Sequence, residues 1–306
     1  MKRQCTFEEA AILWQQHKKG RIKESSWLRY DLMLHTMVLP IFGDMTDIPE
    51  QAVQEYVLDC HTRKYARSTM KSAVALLKEV MKFAAKHGMM EYMPWDIEYP
   101  RDDRPRKLPV LSKSDHRKLL KYLTEHITPQ RMPVMLALST GMRIGEVCAL
   151  RWDNVDMLNR TITVSATRMR TYDRRTKSSK MFTNTPKTVN SYREIPISAQ
   201  LHIALRKVCE MQDQDEYVCG WAGPTEPRTA REMYAKLLDK LGIPPIKFHG
   251  LRHTFATRCI EAGVDVKTVS AILGHSNVAT TLNLYVHPTI DNKRDAMKRL
   301  AKNLNM

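Results

Sequence analysis

Two neighbouring stretches, HGLRHTFAT at residues 249–257 and LGHSNVATTLNLY at residues 273–285, decide how the rest of this chain reads. In the first, His249 and Arg252 are three apart, so a helix places them on one face. His253 follows directly and should point elsewhere. In the second, Gly274 permits a tight turn that presents His275, and Tyr285 comes ten residues later. Upstream, TGMRIGEVCAL at residues 140–150 puts Arg143 and Glu146 one helical turn apart, and an arginine held by a carboxylate keeps further donors for a ligand. TPKTVNSYREIPI at residues 185–197 places Lys187 beside an expected hairpin turn. Each piece alone has an ordinary reading: a structural ion pair, a solvated loop lysine, a core histidine, a half-buried tyrosine.

Taken together and in this order, Arg143, Lys187, His249, Arg252, His275 and Tyr285 resemble the signature of the tyrosine recombinases, the family of phage and conjugative-transposon integrases. The resemblance covers about residues 112–290. It extends more loosely to KFAAKHGMMEYMP at residues 82–94, which looks like the end of the family's core-binding domain, with Met93 where members often have Asn. It implies a mainly α fold with a small antiparallel β-sheet: an N-terminal helical core-binding domain and a mixed α/β catalytic domain. The expected boundaries are 1–100 for the first domain, 101–111 for a linker, and 112–306 for the second with its C-terminal tail helix.

The implied chemistry suits these residue types. In-line displacement at a DNA phosphodiester crowds negative charge onto the equatorial oxygens, and fixed donors must meet it there. Arg143, with Glu146 in support, and Arg252 fit that role, since a guanidinium grips two oxygens at once. His275 adds a hydrogen bond. The phenol of Tyr285, ordinarily of pKa ~10, needs help to attack at neutral pH. The family pattern gives His249 as base and Lys187 as the acid that protonates the departing 5′ oxygen. The product is a 3′-phosphotyrosine that conserves bond energy, so neither ATP nor a metal nor any other cofactor is expected. The partners so implied are double-stranded DNA with specific recombination sites, a homotetramer assembled on two sites, and directionality or DNA-bending proteins.

Composition agrees. The chain carries 49 Lys+Arg against 33 Asp+Glu, a net +16, which suits a polyanionic partner. The charge is uneven: residues 1–111 hold a net +3 and residues 112–306 a net +13. Six cysteines without a C-x-x-C pair fit a reduced, bacterial cytoplasmic protein, nucleoid-associated when DNA-bound. No signal-peptide pattern or membrane-length apolar run is present; the longest strongly apolar stretch is Val134–Leu138.

Helix signals fill the first hundred residues. Thr6 opens one helix that Gly20 ends. Ser25 or Ser26 caps WLRYDLMLHTMVL, stopped at Pro40, and Pro49 opens a third. Ser68 caps a fourth, where Val74, Leu77, Val80 and Met81 repeat at helical spacing and Lys71, Lys78 and Lys82 are candidate phosphate contacts. Residues 100–109, with three prolines and six charges, read as an exposed linker. Ser112 or Ser114 caps the next helix. Strand-like TITVSAT and REIPI suggest an antiparallel hairpin with a long basic loop. That loop holds Arg168, Arg170, Arg174, Arg175, Lys177 and Lys180 against one acid, Asp173, and is a second candidate DNA contact. The tail after Tyr285 patterns as an amphipathic helix, which the resemblance implies docks on a neighbouring subunit. The chain begins almost at its first predicted helix, so no arm-binding domain and simple recombination sites are expected.

Three competing readings remain at this point. Metal ligation by His249, His253 and His275 lacks an H-E-x-x-H spacing or an accompanying carboxylate. A binding module of the same fold, and a relaxing topoisomerase of related chemistry, are the others.

Overall fold

Thr6 opens α1 (Phe7–Lys18) through a capping box: its side chain accepts from Glu9 N at 3.3 Å, and Glu9 Oε2 takes the Thr6 N–H at 3.0 Å. The computed structural model describes residues 5–101, 109–185, 192–212, 215–221 and 223–282, and in the tail Arg294, Met297 and Ala301. The chain falls into two compact units, Met1–Pro105 with Arg170–Phe182, and Arg106–Met169 with Thr183–Met306. Of the expected linker, residues 102–108 lie outside the described residues. Among the described residues no helix is long and apolar enough to cross a membrane.

In the first unit, α2 (Glu24–Met33) begins behind Lys23, so neither Ser25 nor Ser26 caps it. Pro40 does not stop the run either. The helix widens into one π turn at Leu34–Val38 and resumes as α3 (Leu39–Phe42), with Pro40 in its first turn. A proline lacks an N–H and crowds the preceding turn; the wider turn and the first-turn position accommodate both defects. Pro49 is the N-cap of α4 (Glu50–Thr62). The helix α5 (Arg67–Lys86) starts behind Ala66, whose backbone is extended as an N-cap requires, and Ser68 lies inside the first turn. Its buried Met70, Ala73, Val74, Leu77, Val80, Met81 and Ala84 form the stripe that the spacing indicates. That stripe shares a core with Phe7, Trp14, Phe42 and Tyr56, each large apolar side chain contributing roughly 1.5–3 kcal/mol on burial.

The expected long basic loop is instead a hairpin of its own. Strand β3 (Thr167–Asp173) pairs with β4 (Ser178–Asn184). The outer part, residues 170–182, belongs to the first unit. There the Arg175 guanidinium lies 4.7 Å from the Trp27 ring centre, and Arg174 Nε stands 3.4 Å from Oδ2 of the buried Asp31. Asp173, fully buried, is met by Lys180 at 2.9 Å and Arg175 at 3.6 Å. Arg174, Arg175 and Lys180 thus come with built-in counterparts. The strand signal of TITV does find a partner, farther along the chain: β2 (Thr161–Val164) pairs antiparallel with β5 (Arg193–Pro196), Ile162 opposite Ile195, and with the short β1 (Val155–Asp156).

The second unit is built around α7 (Met132–Thr140), buried all round except Ser139. A helix apolar on every side belongs at the centre of a core. Leu119 and Leu123 of α6 (Lys113–Glu125), capped by Ser112, pack into this core. So do Leu201, Leu205 and Val208 of α9 (Ala199–Met211), and Tyr234, Leu237 and Leu238 of α10 (Pro227–Lys240). The inner face of the sheet supplies Ile162, Val164 and Ile195. The helix α11 (His249–Glu261) lies against α7. Thr254 on α11 accepts the Leu111 N–H at 2.9 Å, and Arg258 donates to the Leu111 carbonyl at 2.6 Å. The short α8 (Ile144–Cys148) packs on α7, and α12 (Val266–Leu273) packs on α11.

Candidate active site

A helix leaves its last carbonyls without intrahelical donors, and its C-terminal end carries partial negative charge. At the end of α12 three successive carbonyls each receive a guanidinium. Ile272 O accepts from Arg193 Nε at 2.6 Å, Leu273 O from Arg252 Nη2 at 2.7 Å, and Gly274 O from Arg143 Nη2 at 3.3 Å. Gly274 itself turns the chain in the left-handed conformation, φ 66°, which favours glycine. That turn presents His275, as its sequence indicates.

Arg143 and Glu146 meet as their spacing suggests. Arg143 is the N-cap of α8; its Nη1 donates to Glu146 Oε1 at 2.8 Å and its backbone N–H to Oε2 at 2.9 Å. Glu146 is 5% exposed and also receives Arg193, at 2.8 Å on Oε2 and 3.3 Å on Oε1. Burial pushes the Glu146 carboxyl up, but the bonds from Arg193 and Arg143 outweigh it and hold the group below its ordinary value. Arg252 is 2% exposed and donates its Nη1 to Gly141 O at 2.8 Å. Burial and then Arg143 push it down to about 9, so it keeps its charge at neutral pH. Gly141 has φ 69°, and a Cβ there would collide with Phe255 and Leu273; this glycine lets α7 close down on α11.

The histidines are biased toward the neutral form. His275 donates or accepts through Nδ1 with the Thr281 hydroxyl at 2.7 Å, leaving Nε2 for a ligand. Burial, then Arg252 and Arg143, lower it to about 4. Partial desolvation of the ring, then the same two arginines, lower His249, whose side chain at the start of α11 still reaches solvent. His253 does not point away from His249: the four-residue separation stacks the two rings edge to face, 4.5 Å between centres. Burial and then His249 lower His253 to about 4. His249 and Arg252 line a cavity of about 590 Å³ with Arg231, Tyr234 and Lys247. Among the described residues no cluster of three His, Cys, Asp or Glu side chains could hold a metal ion.

One pH effect follows. His253 and His275 have folded values near 4 against an ordinary 6.5. Between these limits the unfolded chain binds protons that the folded chain refuses. The stability these two histidines contribute is therefore complete above pH 6.5 and is lost as pH drops toward 4. The melting temperature of the wild type should decline through this window, and His253→Asn should flatten that decline; thermal melts followed by circular dichroism at half-unit pH steps measure it.

The structure thus brings together Arg143, Glu146, Arg252 and His275, with His249 one turn from Arg252. Lys187 and Tyr285 lie outside the described residues, as does most of the tail; Arg294, Met297 and Ala301 are helical. Of the candidate DNA contacts, Lys71 and Lys82 are exposed on α5, and the Lys71 ammonium sits 5.3 Å from the Tyr99 ring centre. Lys78 donates to the Trp95 carbonyl at 2.8 Å. Arg168 donates to Thr183 Oγ1 at 3.3 Å. Arg170 is exposed on β3, and Lys177 is exposed in the hairpin turn with φ 51°. Arg174, Arg175 and Lys180 engage Asp31, Trp27 and Asp173, as described above.

Sequence reasoning missed Arg193 and Thr281. Arg193 had a readable signal: in β5 it alternates with Ile195, so both face inward. Thr281, fully buried, had none.

A family model described as Phage integrase family matches residues 109–291, and one described as Phage integrase, N-terminal SAM-like domain matches residues 6–59. A tyrosine recombinase XerC-like protein of Caldanaerobacter subterraneus subsp. tengcongensis is 26% identical over 273 residues, 81% of this chain and 69% of that one. The transposase from transposon Tn916 of Enterococcus faecalis is 27% identical over 270 residues, 81% of this chain and 65% of that one. This chain thus spans about two thirds of the length of these relatives. The same fold occurs in the Tn1549 transposon integrase in complex with transposon right end DNA, with TM-score 0.79 and 23% identity over 97% of this chain and 99% of that one. It also occurs in a lambda integrase tetramer bound to a Holliday junction, with TM-score 0.64 and 16% identity over 92% and 78%.

The architecture is therefore that of the integrases: a SAM-like helical domain followed by a mainly helical catalytic domain with small antiparallel sheets. The chain belongs to the phage integrase family and is a tyrosine recombinase.

Proposed function

We propose that this chain cleaves and rejoins duplex DNA at specific recombination sites through a 3′-phosphotyrosyl bond to Tyr285, moving a mobile DNA segment by integration, excision or inversion. The observation that carries this reading is the convergence of Arg143, Arg252 and His275 on the end of α12, with His249 and Arg252 lining the same cavity. Arg143 and Arg252 hold the non-bridging oxygens of the scissile phosphate. Both are locked by carbonyls or by Glu146, so they meet the developing charge without reorganising. His275 offers Nε2 to the same phosphate. His249 is neutral at pH 7, so it accepts the phenol proton as the Tyr285 oxygen bonds to phosphorus. The bond to the 5′ oxygen breaks, and Lys187 gives that oxygen its proton. One phosphodiester is exchanged for another, so rejoining runs the same steps backwards, without ATP or metal.

On this reading the chain works in the bacterial cytoplasm as a tetramer on two sites, with directionality or DNA-bending partners set by the element. Residues 1–100 grip the duplex beside the site and residues 112–306 carry the chemistry; the linker between them makes the second contact intramolecular. The lambda integrase tetramer on its junction supports this assembly by likeness of fold.

The test is strand exchange between plasmids carrying the end sequences of the element that encodes the chain. Recombinant product in EDTA without ATP is the expected result. Tight site-specific binding with no covalent complex would favour a binding module. Relaxation of plasmids lacking any such site would favour a topoisomerase.

A further inference from the structure

We propose that Arg193 is a positioning residue for strand cleavage: it locks Glu146 on α8 and the end of α12 into one unit, and so fixes both Arg143 and His275. The inference rests on the reaction proposed above. Arg193 is 8% exposed at the first position of β5. Its Nη2 and Nη1 bond the two oxygens of Glu146 at 2.8 and 3.3 Å, and its Nε bonds Ile272 O at 2.6 Å. A planar guanidinium can fasten a carboxylate on one edge and a carbonyl on another; a lysine, a point charge, cannot.

The consequence lies in what Glu146 would otherwise do. With Arg193 present, Oε1 is shared between Arg193 and Arg143, and Oε2 between Arg193 and the Arg143 backbone. Arg143 then keeps Nη2 on Gly274 O, where it touches the turn that presents His275. Without Arg193 the buried carboxylate has Arg143 as its main counterion. The Arg143 side chain is drawn toward it and away from the phosphate position. At the same time Ile272 O loses its donor, and the turn carrying His275 loosens. Arg193 also follows Lys187 by six residues in the chain, so the strand it anchors ends the segment bearing the proposed general acid. A displacement near 1 Å of groups that hold a reacting phosphate costs about 10²-fold in rate.

Arg193→Met and Arg193→Lys are compared with the wild type on a nicked duplex that traps the covalent complex, together with duplex affinity and melting temperature. Cleavage should fall by about 10²-fold in Arg193→Met and by at least about 10-fold in Arg193→Lys. Duplex affinity, set by many phosphate contacts, should stay within a few-fold. The double variant Arg193→Met with Glu146→Gln removes the stranded buried charge. It should recover most of the melting temperature while cleavage stays low. Cleavage that returns in step with melting temperature in the double variant, or that Arg193→Lys keeps at the wild-type level, would overturn the proposal. If the wild type itself formed no covalent complex, the reaction would fail and not this inference.

Discussion

Replacing Arg252 with Ala is expected to slow strand cleavage by roughly 10²–10³-fold, the usual effect of removing one fixed donor from a developing oxyanion. The substitution has two separable consequences. In the proposed reaction it deletes a cation that grips the scissile phosphate. In the protein it leaves Gly141 O and Leu273 O without their donors, and a buried carbonyl left unsatisfied costs about 1–3 kcal/mol. The melting temperature should therefore drop, and cleavage must be measured well below it. Duplex affinity should fall far less than cleavage, with the salt dependence of binding reduced by about one counterion. Pre-steady-state cleavage at saturating protein, beside a salt titration of binding, separates the two. A cleavage loss no larger than the affinity loss would mean that Arg252 serves DNA binding or the fold alone.

Replacing Lys187 with Ala is expected to cost roughly 10²–10⁴-fold in cleavage, the range for a general acid. The proposed role has a sharper signature than the loss itself. An alkoxide leaving group needs a proton, whereas a thiolate leaves readily without one. A duplex with sulfur in place of the 5′ bridging oxygen at the scissile position should restore most of the cleavage by Lys187→Ala. The same substrate should not rescue Arg252→Ala, whose defect lies on the non-bridging oxygens. Equal rescue of both variants, or of neither, would remove Lys187 from the role of acid.

Much of this site was legible in the sequence because catalysis requires side chains at intervals set by helix geometry. His249 and Arg252, three apart, share a face of α11, and Gly274 does end α12 in a left-handed turn before His275. The same geometry stacks His253 on His249, which a reading of adjacent positions overlooked. The differences elsewhere have local causes. A proline in a helical run marks a stop, but at Pro40 a single π turn absorbs it. Serine caps helices well, yet the chain enters α5 at Ala66, ahead of Ser68. The run from Arg168 to Lys180 reads as a long basic loop and candidate DNA contact because its counterparts, Trp27 and Asp31, are more than a hundred residues away. Arg193 was hidden for a related reason. Its partners Glu146 and Ile272 lie on two other elements, and only the tertiary fold brings them to one point.

The defining step of the proposed reaction is esterification of the Tyr285 oxygen to DNA. The direct measurement is to trap the covalent complex on a nicked duplex carrying the element's end sequence, digest it with protease and nuclease, and locate the attached nucleotide by mass spectrometry. The predicted result is a 3′-phosphonucleotide on the peptide containing Tyr285, absent from Tyr285→Phe, which still binds the duplex. An adduct on any other residue, or one that persists in Tyr285→Phe, would contradict it.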